Sequence, residues 1–238
     1  MVEQHTVKRF DEELNDLQSL VLKMGGLVQE QIEAAVKALD DEDLDAARRI
    51  AERDQLVNRY NVQVDEASVN LLARRQPMGS DLRFIVALEK AVTDLERIGD
   101  EAAKIAQMVL RIYGGDSSAP NHGLLRDVPA MAELALRLLT GALDSMARMD
   151  PDKALEVARR DVDLDEAFGA AIRHLSTYVM EDPRNMGHAI NAVFILKALE
   201  RMGDHAKNIA EYVVYYVKGK GIRSIEGKEV MDVEVTSV

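Results

Sequence analysis

Apolar residues recur at spacings of three and four along most of the chain, the period of an amphipathic helix and not of a strand. Six helices are predicted: Phe10–Leu39, Asp43–Arg75 and Ser80–Ile112, then Leu124–Met149, Pro151–Met180 and Met186–Lys218. Asp43 and Asp150 are placed as N-caps, Pro151 suits a first helical position, and Ser80 or Asp81 is expected to cap the third helix. Gln76-Pro77-Met78-Gly79 and Glu181-Asp182-Pro183 break the chain at equivalent points of the two sets. The expected architecture is all-α, two tandem antiparallel three-helix bundles. The first covers 7–113, a Gly- and Ser-rich linker 114–123, the second 124–218, and a C-terminal tail 219–238 is read as an extended segment or disorder.

The two sets are copies of one unit. Leu95-Glu96-Arg97-Ile98-Gly99-Asp100 returns as Leu199-Glu200-Arg201-Met202-Gly203-Asp204. Ile50-Ala51-Glu52-Arg53-Asp54 returns in kind as Val157-Ala158-Arg159-Arg160-Asp161. The spacing is 107 positions for the second helices and 104 for the third, so about three residues are expected to be lost in the second copy, most simply in the turn between them.

Turning each residue by about 100° around the helix axis gives the expected faces. In the fifth helix Ala154, Ala158, Asp161, Asp165, Phe168 and Ile172 share one line. In the second helix Ala47, Ala51, Asp54, Asn58, Asp65, Val69 and Leu72 do so. Acidic and amide side chains thus interrupt two apolar stripes. In the third helix the core line is Leu88, Val92, Leu95, Gly99, Ala102 and Ala106, and Glu96 and Asp100 stand together on its flank. Glu200 and Asp204 repeat that pair in the sixth.

Two explanations stand for these carboxylates. Either the faces open to water or pair with arginines such as Arg97 and Arg201, or a cation sits between like charges that otherwise repel. All-oxygen ligands suit Mg, Mn, Ca or Fe, with Zn also compatible. No Glu-x-x-His lies on these helices, so the ferritin-like di-iron pattern is not met, and His205 reads as a surface histidine. Gly99 and Gly203 are expected to allow close helix approach, and Gly25, Gly26 and Gly141 to serve packing; Met131, Met146 and Met149 read as core.

Composition narrows the function. Aromatics are 4% with no Trp, so aliphatic residues and Met build the core. A net charge of −12 argues against nucleic acid. There is no Cys, which fits the cytosol and removes thiolate metal sites. No signal peptide and no bilayer-length apolar run are expected. No phosphate-binding glycine loop, catalytic triad or nucleophilic Cys is visible, and no enzyme is expected. The alternative to a binding protein is a carboxylate-rich metal-storage protein or a metal-dependent hydrolase.

The chain from Phe10 to Gly219 resembles the PhoU family of bacterial phosphate-transport accessory proteins. The resemblance rests on Leu95–Asp100 followed by Glu101-Ala102-Ala103-Lys104-Ile105-Ala106, and on Leu199–Asp204 followed by His205-Ala206-Lys207-Asn208-Ile209-Ala210. Gln76-Pro77 before Asp81-Leu82-Arg83, and Tyr212 to Gly219, add to it. It implies a PhoU-like pair of three-helix bundles, commonly dimeric. Iron or zinc is bound in some members through acid-x-x-x-acid motifs, which here fall on Glu96 and Asp100, Glu200 and Asp204, and Asp161 and Asp165. The fourth motif is Asp54 and Asn58, where an amide replaces the second carboxylate. The implied partners are the cytoplasmic parts of the Pst phosphate ABC transporter and a PhoR-type sensor histidine kinase. The implied role is cytoplasmic, as a homodimer, holding down the phosphate-starvation response.

Overall fold

The long apolar stripes do form six helices. In a computed structural model they are α1 (Lys8–Asp40), α2 (Leu44–Arg75), α3 (Ser80–Tyr113), α4 (Val128–Arg148), α5 (Pro151–Glu181) and α6 (Met186–Lys218), with 3-10 turns at His122–Leu125 and Pro183–Asn185. The structure describes residues 8–114 and 122–220, apart from the side chains of 51–54 and 122. The expected loose tail and most of the linker therefore lie outside the described residues.

Local chemistry sets the helix ends. Asp43 Oδ1 accepts from the Ala46 backbone N–H at 2.8 Å, and Asp150 Oδ1 accepts from Asp152 and Lys153 at 3.0 and 3.1 Å. Neither Ser80 nor Asp81 caps α3; Gly79 holds that position at φ 60° without a side-chain bond. The fourth helix starts later than Leu124, at Val128, because Pro129 has no N–H to donate and belongs in the first turn. The chain before it coils as a 3-10 turn instead.

Each copy folds as a three-helix bundle, and α3 and α6 pack antiparallel along the seam between them. The direction is read from the pairs Phe84 with Tyr216, Asp94 with His205 and Glu101 with Arg201. Alongside, α1 crosses α4, where Gln18 Nε2 donates to Met146 O at 2.8 Å and Gln29 Nε2 to Thr140 Oγ1 at 2.6 Å. A Cβ on Gly25 would strike Leu143, so glycine is needed for this approach, whereas Gly26 faces open space and has no packing role. One continuous apolar cluster runs through both bundles. Leu95, Ile98, Ile105, Leu139, Leu196 and Leu199 lie within it, each contributing about 1.5–3 kcal/mol by burial. Met131 and Met146 are core, as expected.

The α3 line from Leu88 to Ala106 is buried as expected. On α2 and α5 the buried line is one residue away from the expected one. It runs Ala47, Ile50, Val57, Val64, Ser68 and Leu71 on α2, and Ala154, Val157, Asp161, Leu164, Ala171 and Leu175 on α5. Heptad-spaced aliphatics, Ile50–Val57–Val64–Leu71 and Val157–Leu164–Ala171, win the interface. A one-residue step turns the neighbouring line by about 100°, which places Asn58, Asp65, Val69 and Leu72 in solvent.

Candidate functional site: the paired carboxylates

Asp161 is carried inward by the α5 stripe and is only 2% exposed. A buried carboxylate needs a partner, and α6 supplies one: Lys207 Nζ lies 2.9 Å from Asp161 Oδ2. Gly203 makes this approach possible, because a Cβ there would overlap Leu164 and come within 3.4 Å of Asp161 Oδ1. Glu200 is closed in the same way. Lys197 Nζ sits 2.6 Å from both its carboxylate oxygens and 5.4 Å from the centre of the Phe168 ring. Of the two, only Oε1 is aligned as a hydrogen bond; Oε2 meets the ammonium by charge alone.

Asp165 and Asp204 complete the group from exposed positions. Burial first, then the Glu200, Asp161 and Asp165 charges, push the Asp204 carboxyl above its usual range. Burial, Asp161 and Glu200 do the same to Asp165, and Lys197 opposes both shifts. The structure thus gathers Asp161, Asp165, Glu200 and Asp204 into one acidic field at the α5–α6 contact.

The first bundle is different. Glu96 and Asp100 stand half-buried on the α3 flank, while Asn58 is exposed on α2 and does not interrupt a buried stripe. The Asp54 side chain lies outside the described residues. The lysine positions are also unlike: Thr93 and Ala103 stand where the second copy has Lys197 and Lys207.

Among the described residues no three acidic or histidine side chains are grouped so that together they could hold an ion. In the second bundle two ammonium groups already neutralise Asp161 and Glu200. As arranged, these residues do not fit an open metal site.

Sequence reasoning missed those lysines, although both stand three residues from their motif, Lys197 before Glu200 and Lys207 after Asp204. It also misplaced His205. That ring is buried, its Nδ1 lies 2.7 Å from Asp94 Oδ1, and Asp94 is itself 2% exposed. Asn208 Nδ2 donates to Asp94 Oδ1 at 3.3 Å and the Tyr212 hydroxyl to Oδ2 at 2.8 Å. Burial and this bond to Asp94 push the Tyr212 phenol well up. Nearby, Glu101, 3% exposed, accepts from Lys104 at 2.9 Å and lies 2.8 Å from Arg201 Nη1. Arg201 thus pairs with a carboxylate of the opposite bundle.

Comparison with known proteins gives this arrangement its context. The model of the PhoU domain family matches residues 21–109 and 128–213. A phosphate-specific transport system accessory protein PhoU homolog of Pseudomonas aeruginosa is 42% identical over 221 residues, 93% of this chain and 90% of the relative. The phosphate-specific transport system accessory protein PhoU of Escherichia coli K12 is 37% identical over 225 residues, 94% of this chain and 92% of the relative. The crystal structure of PhoU from Pseudomonas aeruginosa superposes with a TM-score of 0.82 at 43% identity, covering 89% of this chain and all of that one. That of the phosphate transport system regulatory protein PhoU from Streptococcus pneumoniae gives 0.81 at 29% identity, covering 90% and 99%.

Proposed function

The chain belongs to the PhoU family, and from that membership we propose that it is a non-catalytic regulatory adaptor, accessory to phosphate transport. In this reading it couples the cytoplasmic components of a Pst-type phosphate ABC transporter to a PhoR-type sensor histidine kinase. It holds down the phosphate-starvation response when phosphate is plentiful and modulates uptake. It works in the cytoplasm as a homodimer and reaches the membrane through its partners.

The observation that carries this reading is the match of both copies to the family's domain along nearly the whole of each helical unit. Two physical features support it. No helix among the described residues is long and apolar enough to cross a membrane, so contact with a transporter has to be made by docking. Exposed methionines stand near the α2–α3 and α5–α6 junctions, Met78 at 82% and Met180 at 83%, as adaptable side chains for a protein contact.

Metal bracing of the carboxylate pairs, by iron, zinc, manganese or magnesium, enters this proposal under one condition. In the second bundle an incoming ion has to displace Lys197 or Lys207.

The adaptor role is tested by deleting the gene and following a starvation-induced phosphatase in phosphate-rich medium. Derepression that the intact gene reverses is expected, together with co-purification of the transporter's nucleotide-binding subunit. A phosphatase level unchanged by deletion, with no transporter component retained, rejects it.

A further inference from the structure

The two copies differ most tellingly one heptad away from the paired motifs. Asp65 and Ser68 stand one turn apart on α2, and Glu89 faces them from α3. By the internal repeat their counterparts are Ile172, Leu175 and Val193, all aliphatic, of which Leu175 and Val193 pack in the apolar cluster. The first copy therefore places a carboxylate, a hydroxyl and a second carboxylate where the same fold packs well with hydrocarbon.

The polar set is incompletely satisfied. Ser68 is 2% exposed and its Oγ has no hydrogen-bond partner; Glu89 Oε1 is likewise buried without one. Ser68 and Asp65 both lie near enough to Glu89 to influence its carboxyl, Ser68 lowering its pKa and Asp65 raising it. Burial is the larger cause and pushes that carboxyl up. The hydroxyl is thus close to Glu89 but not aligned with it. No lysine or arginine among the described residues forms an ion pair with Asp65 or Glu89, whereas Asp161 and Glu200 each have an ammonium. Two neighbouring carboxyls and an orphan hydroxyl in a partly dry contact are costly unless something positive joins them.

We propose that Asp65, Ser68 and Glu89 form a binding site for one hard divalent cation between α2 and α3, separate from the paired-carboxylate motifs. The donors are all oxygen, which selects magnesium, manganese or calcium over softer ions. Asp65 is exposed, so the ion enters from that side and keeps water in its remaining positions. The site lies seven residues from both Asn58 and Glu96, about 10 Å along the helices. The ion would clamp α2 to α3 in the first copy, as aliphatic packing does in the second.

The test uses the full chain stripped of metal. Manganese is titrated and free Mn²⁺ is followed by its electron paramagnetic resonance signal, with melting measured in parallel. Three variants are compared: Glu89→Gln, the triple change Asp65→Ile, Ser68→Leu and Glu89→Val, and Asp100→Asn. The triple variant carries the residues that the second copy has at these positions, so a folded protein is expected. The wild-type chain should bind one more Mn²⁺ than the triple variant. Glu89→Gln should weaken that ion at least tenfold, and Asp100→Asn should retain it. Equal stoichiometry in the wild type and the triple variant overturns the site. So does a Glu89→Gln chain that binds manganese like the wild type and differs only in the pH dependence of melting, since a shared proton then explains the cluster.

Discussion

Asp94 Oδ1 lies 2.7 Å from His205 Nδ1, joining α3 to α6 across 111 residues of sequence. The carboxylate is buried at the seam between the copies and also receives Asn208 and Tyr212. The repeat does not reproduce this cluster: the counterpart of Asp94 is Ala198 and that of His205 is Glu101. The seam is therefore asymmetric in charge although its backbone is duplicated.

Asp94→Ala strips three polar groups of their acceptor at once. A loss of about 3–5 kcal/mol is expected, the range for breaking a buried charged network from one side. Asp94→Asn keeps the shape and one acceptor oxygen, and should lose about 1–2 kcal/mol. Urea unfolding followed by circular dichroism measures both. A fall below about 1 kcal/mol for Asp94→Ala would show that the seam is held by apolar packing alone.

Gly203→Ala and Gly26→Ala should move in opposite directions. The new methyl at 203 runs into the Cδ2 methyl of Leu164, a fully buried side chain. A loss of about 1–3 kcal/mol is expected from the overpacking. At Gly26 nothing lies within 4 Å, so alanine should add up to about 1 kcal/mol through helix propensity. Thermal melting of the two variants side by side decides it.

Much of this was written in the sequence, in a form that depended on local period. The six helices, the duplicated unit and the α3 core line from Leu88 to Ala106 follow from spacing alone. On α2 and α5 two adjacent lines each carry apolar residues, and angle by itself does not choose between them. The heptad of Ile50, Val57, Val64 and Leu71 is the better guide, because its seven-residue steps are all aliphatic. The start of α4 turned on Pro129. The Asp94 cluster was invisible for a different reason. Its partners come from the other copy, and α3 has a second buried face only because α6 packs there.

Acidification should reveal the field around Asp204. Its carboxyl is raised above the ordinary value of 3.8 by burial and by Glu200, Asp161 and Asp165. A raised acid holds its proton more tightly when folded, so its stabilising contribution is present below that ordinary value and fades as pH rises through the folded one. At pH 7 the ionised group is a net cost, partly screened because Asp204 reaches solvent. Asp204→Asn should therefore melt about 1–3 °C higher than the wild type near pH 7. The gain should vanish as pH falls toward 4. A gain that stays constant with pH would assign the effect to something other than charge.

Lys207 is the residue on which the second carboxylate cluster turns. Its ammonium is the only cation paired with Asp161 among the described residues, and Asp161 has almost no access to water. Lys207→Met keeps the length of the side chain and removes the charge. Because the lysine is 38% exposed, the loss should fall below the fully buried range, at about 1–3 kcal/mol. The same change opens the cluster: Asp161, Asp165 and Asp204 are then left with no ammonium closer than Lys197, which is held by Glu200. Added Mg²⁺ or Mn²⁺ should raise the melting temperature of Lys207→Met more than that of the wild type, by mass action on the folded state. Asp161→Asn combined with Lys207→Met should cancel both the instability and the metal response. If Lys207→Met is as stable as the wild type and gains no response to either ion, the lysine is a bystander. If the wild type responds as strongly as the variant, the ammonium does not exclude metal and the motif takes an ion beside it.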